Sequence, residues 1–243
     1  MNWHIDRLES CASTQDEAAA RARAGAPDGT VVVATRMEDG RGTHGRAWHA
    51  PEGGLYLSMV LRGLPSAQFL TLALGNAVAD VLEVAGADVR LKWVNDVLVD
   101  GKKIAGVLVE AESTGDRLDF CIAGMGINVN GSAQDWPHPL HGLAITLEDV
   151  LGADQCIPDL ETFLLQSVAG WIAKVRAGRG DEVVAAWRAR DALRGHRVGI
   201  DPDGDLCVKV LGRAEGIDAA GRLLVGTDDG VQAFDNGSVT LLD

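Results

Sequence analysis

GRGTHGRAW, residues 40–48, contains three glycines, two arginines and a tryptophan. It follows residues 30–35, whose β-branched side chains predict a buried strand. Glycines let backbone N–H groups come close to an anion, and arginines supply fixed positive charge. The stretch therefore predicts a loop at the end of a strand, suited to hold a negatively charged, reactive intermediate and to exclude water.

The spacing of Gly40, Gly42 and Gly45 also matches the dinucleotide-binding fingerprint Gly-x-Gly-x-x-Gly. That fingerprint requires a helix to begin within the glycines and an acidic residue about 20 positions later. Here the chain continues as a loop as far as Gly54, and residues 55–61 are typical of a strand. The sequence context therefore excludes a Rossmann-type nucleotide site.

Three further motifs accompany the glycine-rich stretch. They are Ser13-Thr14-Gln15, the run 91–110 that contains Lys92-Trp93-Val94-Asn95-Asp96 and Lys103-Ile104-Ala105-Gly106, and the run 122–130 that contains Gly124-Met125-Gly126-Ile127-Asn128. In this order the four motifs closely resemble the biotin protein ligases, and the resemblance covers nearly the whole chain. It implies an α/β (α+β) fold, with a mixed-sheet, biotin/lipoate ligase-like catalytic domain over residues 1–193 and a small SH3-like β barrel over residues 194–243.

The resemblance implies a monofunctional, ATP-dependent ligase. Such an enzyme forms biotinyl-5'-AMP and transfers biotin to a lysine of a biotin carboxyl carrier protein. Adenylation needs positioning and positive charge rather than a covalent nucleophile, and the chain shows no Ser-His-Asp arrangement. Two alternatives remain open: a lipoate or octanoate ligase or transferase of the same fold, and a non-catalytic biotin-binding module.

The resemblance assigns catalytic roles to Lys103, Arg41 and Asp96. The family's lysine contacts the reacting carboxylate and phosphate, where a compact ammonium suits a localised developing charge. A lysine after Asp100-Gly101 is by composition alone most often a surface residue, but the sequence Lys-Ile-Ala-Gly reverses that interpretation. We further expect Asp96 to help hold a magnesium ion that accompanies ATP.

The remaining predicted site residues fall into two groups. The predicted biotin-binding residues are Ser13, Thr14, Gln15, Met37, Gly40, Arg41, Gly42, Thr43, Lys103, Gly106, Gly124 and Gly126. The predicted ATP-binding residues are Arg41, Arg46, Trp48, Lys92, Asn95 and Asn128. Ser13 or Thr14 is also expected to cap a helix, which is compatible with contact to the ureido ring of biotin.

The chain departs from the family pattern at three places. Met37 stands where the family usually has a glutamine, which removes an amide partner for the ureido group and keeps the lipoate alternative open. Val94 replaces a common proline. Thr43-His44 stands where many relatives have two basic residues, a change that could alter how tightly the adenylate is retained.

Composition limits the partners that we expect. The net charge of −13 argues against broad contact with nucleic acid, and the chain begins at the catalytic motifs, so we expect no DNA-binding domain. With no apolar run of about 18 residues and no signal peptide, we expect a cytoplasmic protein that has no membrane segment, and the sequence leaves a homodimer open. The four cysteines are predicted to be reduced and buried, and the spacing of the histidines does not favour zinc.

Apolar periodicity predicts helices within residues 66–86, 160–175 and 181–193. Residues 89–94 and 104–111 predict two strands joined by a turn at Asp100-Gly101, followed by a strand at 117–129. Residues 131–143 are rich in proline, glycine and histidine and predict a mobile loop. Short C-terminal strands separated by turn residues indicate a small barrel; they are predicted at 196–200, 206–212, 214–217, 223–226, 231–234 and 239–242.

Overall fold

The computed structural model describes residues 1–205 and 207–242. Within them, the chain forms two β-sheets and five α-helices. The strands are β1 His4–Cys11, β2 Thr30–Met37, β3 Leu55–Leu61, β4 Val89–Lys92, β5 Asp96–Val99, β6 Lys102–Thr114, β7 Arg117–Ile127, β8 Arg197–Asp201, β9 Val210–Ile217, β10 Leu223–Thr227, β11 Gly230–Phe234 and β12 Ser238–Leu241. The helices are α1 Thr14–Arg23, α2 Leu70–Val84, α3 Leu147–Leu151, α4 Ile157–Arg176 and α5 Gly180–Ala189.

The larger sheet has seven strands in the order β1-β2-β3-β7-β6-β5-β4. Strands β1 and β2 are parallel, and every other neighbouring pair is antiparallel. The mixed sheet predicted from the family resemblance is therefore confirmed. Its long central strands β6 and β7 carry the two glycine-containing motifs side by side, with Gly106 opposite Gly126.

The two faces of the sheet pack against different helices. Successive side chains of a strand point to opposite faces, so Val31 and Val33 join the main core while Val32 joins a smaller cluster with Ala18 of α1. Helix α2 lies on the main-core face and packs against α4 and β6. Because α1 is short, it covers only part of the opposite face, which leaves room there for a cavity.

Three predicted elements differ from those observed in this region. The turn at Asp100-Gly101 joins β5 to β6 rather than β4 to β6, because a short strand, β5, begins at Asp96 and lies between them. Helix α2 begins at Leu70, four residues later than Ser66, since Phe69 at its N-cap has a left-handed φ of 65°. The expected loop 131–143 contains two short 3₁₀ turns.

The smaller sheet is antiparallel, with strand order β11-β10-β9-β8-β12. The two strands predicted at 206–212 and 214–217 are one strand, β9, and Leu206 lies outside the described residues. The sheet packs on the larger domain: Trp93 Nε1 donates to the Gly221 carbonyl at 3.0 Å, and Arg188 donates to the Ile217 carbonyl at 2.6 Å. The predicted boundary after residue 193 falls between α5 and β8 and stays a prediction.

Two composition-based expectations can be compared with the structure. Cys121 is buried, and burial raises the pKa of its thiol to about 11. Cys156 and Cys207 are exposed, so the prediction that all four cysteines are buried is wrong; Cys156 is the N-cap of α4, and Cys207 lies in coil. Among the residues that the structure describes, no helix is long and apolar enough to cross a membrane.

Candidate active site

A cavity of about 170 Å³ opens on the face of the large sheet that carries α1. Strand register places it there, because Gly124 pairs with Leu108 and with Ser58, and all three line the cavity. The predicted site residues that line it are Ser13, Thr14, Gln15, Met37, Arg41, Gly42, Thr43, Arg46, Trp48, Lys92, Asn95, Asp96, Lys103, Gly106, Gly124 and Gly126. The structure therefore brings together residues from five separate stretches of sequence.

Gly106, Gly124 and Gly126 form the floor of the cavity. A side chain at any of these positions would fill the space above the strand. A Cβ atom on Gly124 would lie 2.5 Å from Oε1 of Gln15, and one on Gly126 would lie 2.7 Å from the ring of Trp48. At Gly106 the nearest atom would be Cε of Lys103 at 3.1 Å. The family-like glycines of β6 and β7 thus allow Gln15, Trp48 and Lys103 to lie against the strand backbones.

A charged cluster closes one end of the cavity. Lys103 Nζ lies 2.5 Å from Oδ1 of Asp96, and Lys92 Nζ lies 3.5 Å from Oδ2 of the same carboxylate. The cluster is local, because Lys92 and Asp96 pair across the turn between β4 and β5, and Lys103 lies on the adjoining strand β6. All three side chains are largely shielded but reach solvent, so they can meet a ligand with little rearrangement.

The environment of Asp96 keeps it ionised. Burial opposes its ionisation, but the charges of Lys103 and Lys92 and the hydrogen bonds from both outweigh it and lower the pKa of Asp96. Both carboxylate oxygens already face ammonium groups, an arrangement that does not fit a resident magnesium ligand. Within the described residues, no group of three or more His, Cys, Asp or Glu could hold a metal ion. The magnesium role of Asp96 stays a prediction that this geometry weighs against.

The opposite end of the cavity is formed by the start of α1. Ser13 is its N-cap, and the Ser13 hydroxyl accepts from the backbone N–H of Gln15 at 3.3 Å, as the sequence predicted. The Thr14 hydroxyl lies 2.9 Å from that of Ser58 on β3. Met37 takes the place of an oxygen acceptor, since its sulfur accepts from the backbone N–H of Thr14 at 3.3 Å.

Gln15 reaches the cavity with both amide N–H donors used and with its oxygen accepting one hydrogen bond. Its amide nitrogen donates to Glu110 at 2.9 Å and to the Ile122 carbonyl at 3.2 Å, and its oxygen accepts from Ser58 at 3.1 Å. The hypothesis that Gln15 compensates for Met37 in ureido binding therefore rests on the second lone pair of this oxygen, which can accept from a ureido N–H while the three hydrogen bonds are kept. It stays a prediction.

The glycine-rich loop covers the cavity, and distant residues hold its arginines. Arg41 forms ion pairs with Asp16 at 2.5 Å and with Glu110 at 3.3 Å, and the hydrogen bond that Arg41 donates to Asp16 raises the pKa of Arg41. Arg46 donates to the hydroxyl of Ser238 on β12. The loop thus connects α1, β6 and the smaller sheet, and both arginines lie at the rim of the cavity.

Trp48 lies at the charged end of the cavity. Lys103 Nζ is 5.2 Å from the centroid of its ring, within the range of a cation–π contact. Its indole N–H is buried, with no hydrogen-bond partner among the described residues. A buried N–H without an acceptor is costly, so a ligand oxygen at this position would be stabilised.

Two predicted residues do not line the cavity. Gly40 lies behind the loop, where its backbone carbonyl accepts from the N–H of Trp48 at 2.7 Å. Asn128 is buried, and its amide donates to the backbone carbonyls of Lys103 and Ile145 at 3.3 and 3.2 Å. In this structure Asn128 thus fixes the backbone that carries Lys103, and its contact with ATP stays a prediction.

Several residues that line the cavity were not predicted from the sequence, among them Ser58, Leu108 and Ser238, and neither was Glu110 at its rim. The alternation of side chains along a strand could have predicted Leu108 and Glu110, because they lie two and four residues after Gly106 and therefore on the same face of β6. The contribution of Ser238 depends on how the two sheets pack, for which the sequence carries no local signal.

Sequence comparisons identify relatives for both parts of the chain. Residues 9–128 match the biotin/lipoate A/B protein ligase family, and residues 209–242 match the biotin protein ligase C terminal domain. The biotin–[acetyl-CoA-carboxylase] ligase of Mycobacterium tuberculosis is 33% identical over 229 residues, which cover 90% of this chain and 82% of that protein.

A second relative is longer than this chain. The bifunctional ligase/repressor BirA of Bacillus subtilis is 38% identical over 157 residues, and the match covers 63% of this chain and 48% of that protein. The chain thus spans about half the length of that relative. Among solved structures, the Aquifex aeolicus biotin protein ligase in complex with biotin and ATP has a TM-score of 0.84 at 29% identity, with 98% of each chain covered.

Proposed function

We propose that this chain, which belongs to the biotin/lipoate A/B protein ligase family, is an ATP-dependent biotin ligase. In the first step a carboxylate oxygen of biotin attacks the α-phosphorus of ATP, and the bond to pyrophosphate breaks. In the second step a lysine amine of a biotin carboxyl carrier protein attacks the acyl carbon of biotinyl-5'-AMP, and AMP leaves.

The cluster of Lys103, Asp96 and Lys92 is the observation that carries this proposal. Two ammonium groups and one carboxylate are fixed on neighbouring strands at the end of the cavity, beside the free N–H of Trp48. Adenylation brings two negatively charged groups together, so pre-positioned positive charge lowers its barrier. A module that only bound biotin would not need two lysines at this point.

The ends of the cavity suit the two substrates differently. The end formed by Ser13, Thr14 and Ser58 offers hydroxyl groups to a small polar ring such as the ureido group. The end formed by Trp48 and Lys103 offers a flat indole and a positive charge to a nucleotide. We assign biotin to the first and ATP to the second, with their reacting groups meeting near Lys103.

Magnesium belongs to the substrate in this account, because Asp96 is occupied by lysines and the phosphates of ATP supply oxygen ligands. The protein partner that we propose is the carrier domain of a carboxylase, and the location is the cytoplasm, where ATP is available. The charge of −13 makes nucleic acid an unfavourable partner. A homodimer stays a prediction.

A lipoate or octanoate ligase is the second candidate, and Met37 is the residue that favours it. A thioether is a weak acceptor and offers no N–H donor, so this end of the pocket is less polar than a glutamine would make it. An aliphatic acyl chain tolerates that loss better than a ureido ring does.

ATP–pyrophosphate exchange measured with biotin, lipoate and octanoate in parallel separates the candidates. We expect exchange that depends on biotin and on magnesium. Exchange with lipoate or octanoate but not with biotin would replace the first candidate by the second. Biotin binding without any exchange would leave a binding module.

A further inference from the structure

A second opening leads into the cavity from the side. It lies between the glycine-rich loop, the turn after β4 and the smaller sheet, and it is lined in part by His44, Val94 and Glu110. Thr43, Asn95, Leu108 and Gly237 line both this opening and the cavity. The two spaces therefore adjoin and share part of their lining, which makes this opening a second approach to the cavity for an incoming side chain.

Glu110 is the one carboxylate that lines this opening among the described residues. One of its oxygens accepts from the amide of Gln15 at 2.9 Å, and the other accepts from Arg41 at 3.3 Å. Its side chain is 44% exposed. Glu110 thus stands where the side opening meets the residues of the predicted biotin and phosphate sites.

We propose that Glu110 binds the ammonium group of the acceptor lysine as that lysine enters through the side opening. The inference rests on the proposed function, in which a lysine side chain must reach an acyl group inside the cavity. Lysine is a cation at neutral pH, and a carboxylate at the mouth of a narrow opening raises the local concentration of a cationic group.

Arg41 controls when Glu110 is available. In this structure Arg41 pairs with Glu110 and Asp16, which neutralises the charge that would attract a lysine. Guanidinium groups bind phosphates in a two-pronged geometry that is stronger than a single ion pair. When the phosphate of the adenylate draws Arg41 away, Glu110 is left with a free oxygen, and the acceptor lysine is bound after the adenylate has formed.

The transfer step forms one C–N bond and breaks one C–O bond. The bound ammonium loses one proton to solvent and becomes a neutral amine. Its lone pair forms the C–N bond to the acyl carbon, the C–O bond to the phosphate breaks, and AMP leaves with that electron pair. A second proton leaves the nitrogen for solvent. Glu110 binds and orients the amine and forms no covalent bond.

The test compares two nucleophiles on enzyme preloaded with biotinyl-5'-AMP. One is the carrier protein, whose lysine is cationic, and the other is hydroxylamine, which is neutral at neutral pH. The variant is Glu110→Gln, which keeps an oxygen acceptor for Gln15. The control is Glu112→Gln, on the same strand two residues further, where the carboxylate pairs with Arg23 at 2.9 Å. The quantity compared is the rate with the carrier protein divided by the rate with hydroxylamine, a ratio in which any change in adenylate binding cancels.

We expect this ratio to fall roughly three- to tenfold in Glu110→Gln, the effect of losing one partly exposed charge pair, and to stay unchanged in Glu112→Gln. Added salt should lower the ratio in the parent protein and affect the Glu110 variant less. An unchanged ratio would overturn the inference. If both rates fall equally, Glu110 has a structural role; if neither falls, Glu110 has no role in transfer. Failure of the parent protein to react with either nucleophile would contradict the proposed function itself.

Discussion

The positive charges around the cavity are held in two different ways. Lys92 and Lys103 face one carboxylate, Asp96, within three consecutive strands. Arg41 and Arg46 lie on the glycine-rich loop and are held by residues from distant elements. Their partners are Asp16, Glu110 and Ser238.

This difference separates a preformed part of the site from a part that must rearrange. The lysines point into the cavity and need no new partner before a ligand arrives. Arg41 directs both terminal nitrogens at carboxylates, so turning that pair of nitrogens to a phosphate requires it to release at least one of them. Preformed charge suits a transition state, whereas a loop that exchanges partners suits substrate capture and release.

Removing the preformed charge should have the largest effect. We expect Lys103→Ala to lower the rate of adenylate formation by about 10²–10³, the typical loss for one positioned group at a transition state. The rate is measured by pyrophosphate exchange at saturating biotin. Lys102→Ala, the neighbouring lysine of the same strand, serves as the control and should change the rate little. Near-normal exchange in Lys103→Ala would show that catalysis resides elsewhere.

Asp96→Asn tests the cluster through both activity and stability. Two lysines without a carboxylate repel each other and lose their positions, for which we expect a loss of about 10- to 100-fold in exchange rate. The free energy of unfolding at neutral pH should fall by about 1–2 kcal/mol. Asp100→Asn, in the adjacent exposed turn, is the matched control.

The pH dependence of that stability difference has a defined sign. The pKa of Asp96 is lower in the folded protein than in the unfolded chain. Its contribution is therefore present above the unfolded value, about pH 4, and is lost as the pH falls through the lower folded pKa. Urea unfolding of the parent protein and of Asp96→Asn should show a difference in the free energy of unfolding that shrinks below about pH 4. A difference that grows on acidification would mean that Asp96 is not held by the lysines.

Met37→Gln probes the end of the cavity opposite the lysines. We expect biotin affinity to rise by at most about tenfold, or about 1.4 kcal/mol, because water or Gln15 can serve the ureido group in the parent protein. Calorimetric titration measures it, with Met37→Leu as a control that removes the sulfur acceptor. A gain of several orders of magnitude would show that the native pocket is not adapted to biotin.

Asp16→Asn should have the smallest effect and addresses the loop directly. Arg41 would keep Glu110 and lose its shorter ion pair, so it would be released more easily. Exposed pairs contribute up to about 1 kcal/mol, so we expect at most about a fivefold change in the KM for ATP and little change in kcat. Asp6→Asn, which removes an exposed ion pair with Arg21, is the control.

The sequence predicted the preformed part better than the part that rearranges. The turn at Asp100-Gly101 and the helix cap at Ser13 are local features, and both were predicted from a few neighbouring residues. Strand β5 was missed because its four residues, the first of which is the charged Asp96, give too short a pattern to predict a strand. The contact between Gln15 and Glu110 joins residues 95 positions apart, and it depends on sheet order, which no local pattern encodes.

The most direct test of this account is a structure of the protein with biotinyl-5'-AMP bound. We predict that Arg41 will have left Glu110 to contact the phosphate, while Lys103 Nζ stays within about 4 Å of Asp96, the limit of an ion pair. The opposite result would contradict the account: Arg41 still paired with both carboxylates, and the lysine cluster dispersed around the ligand.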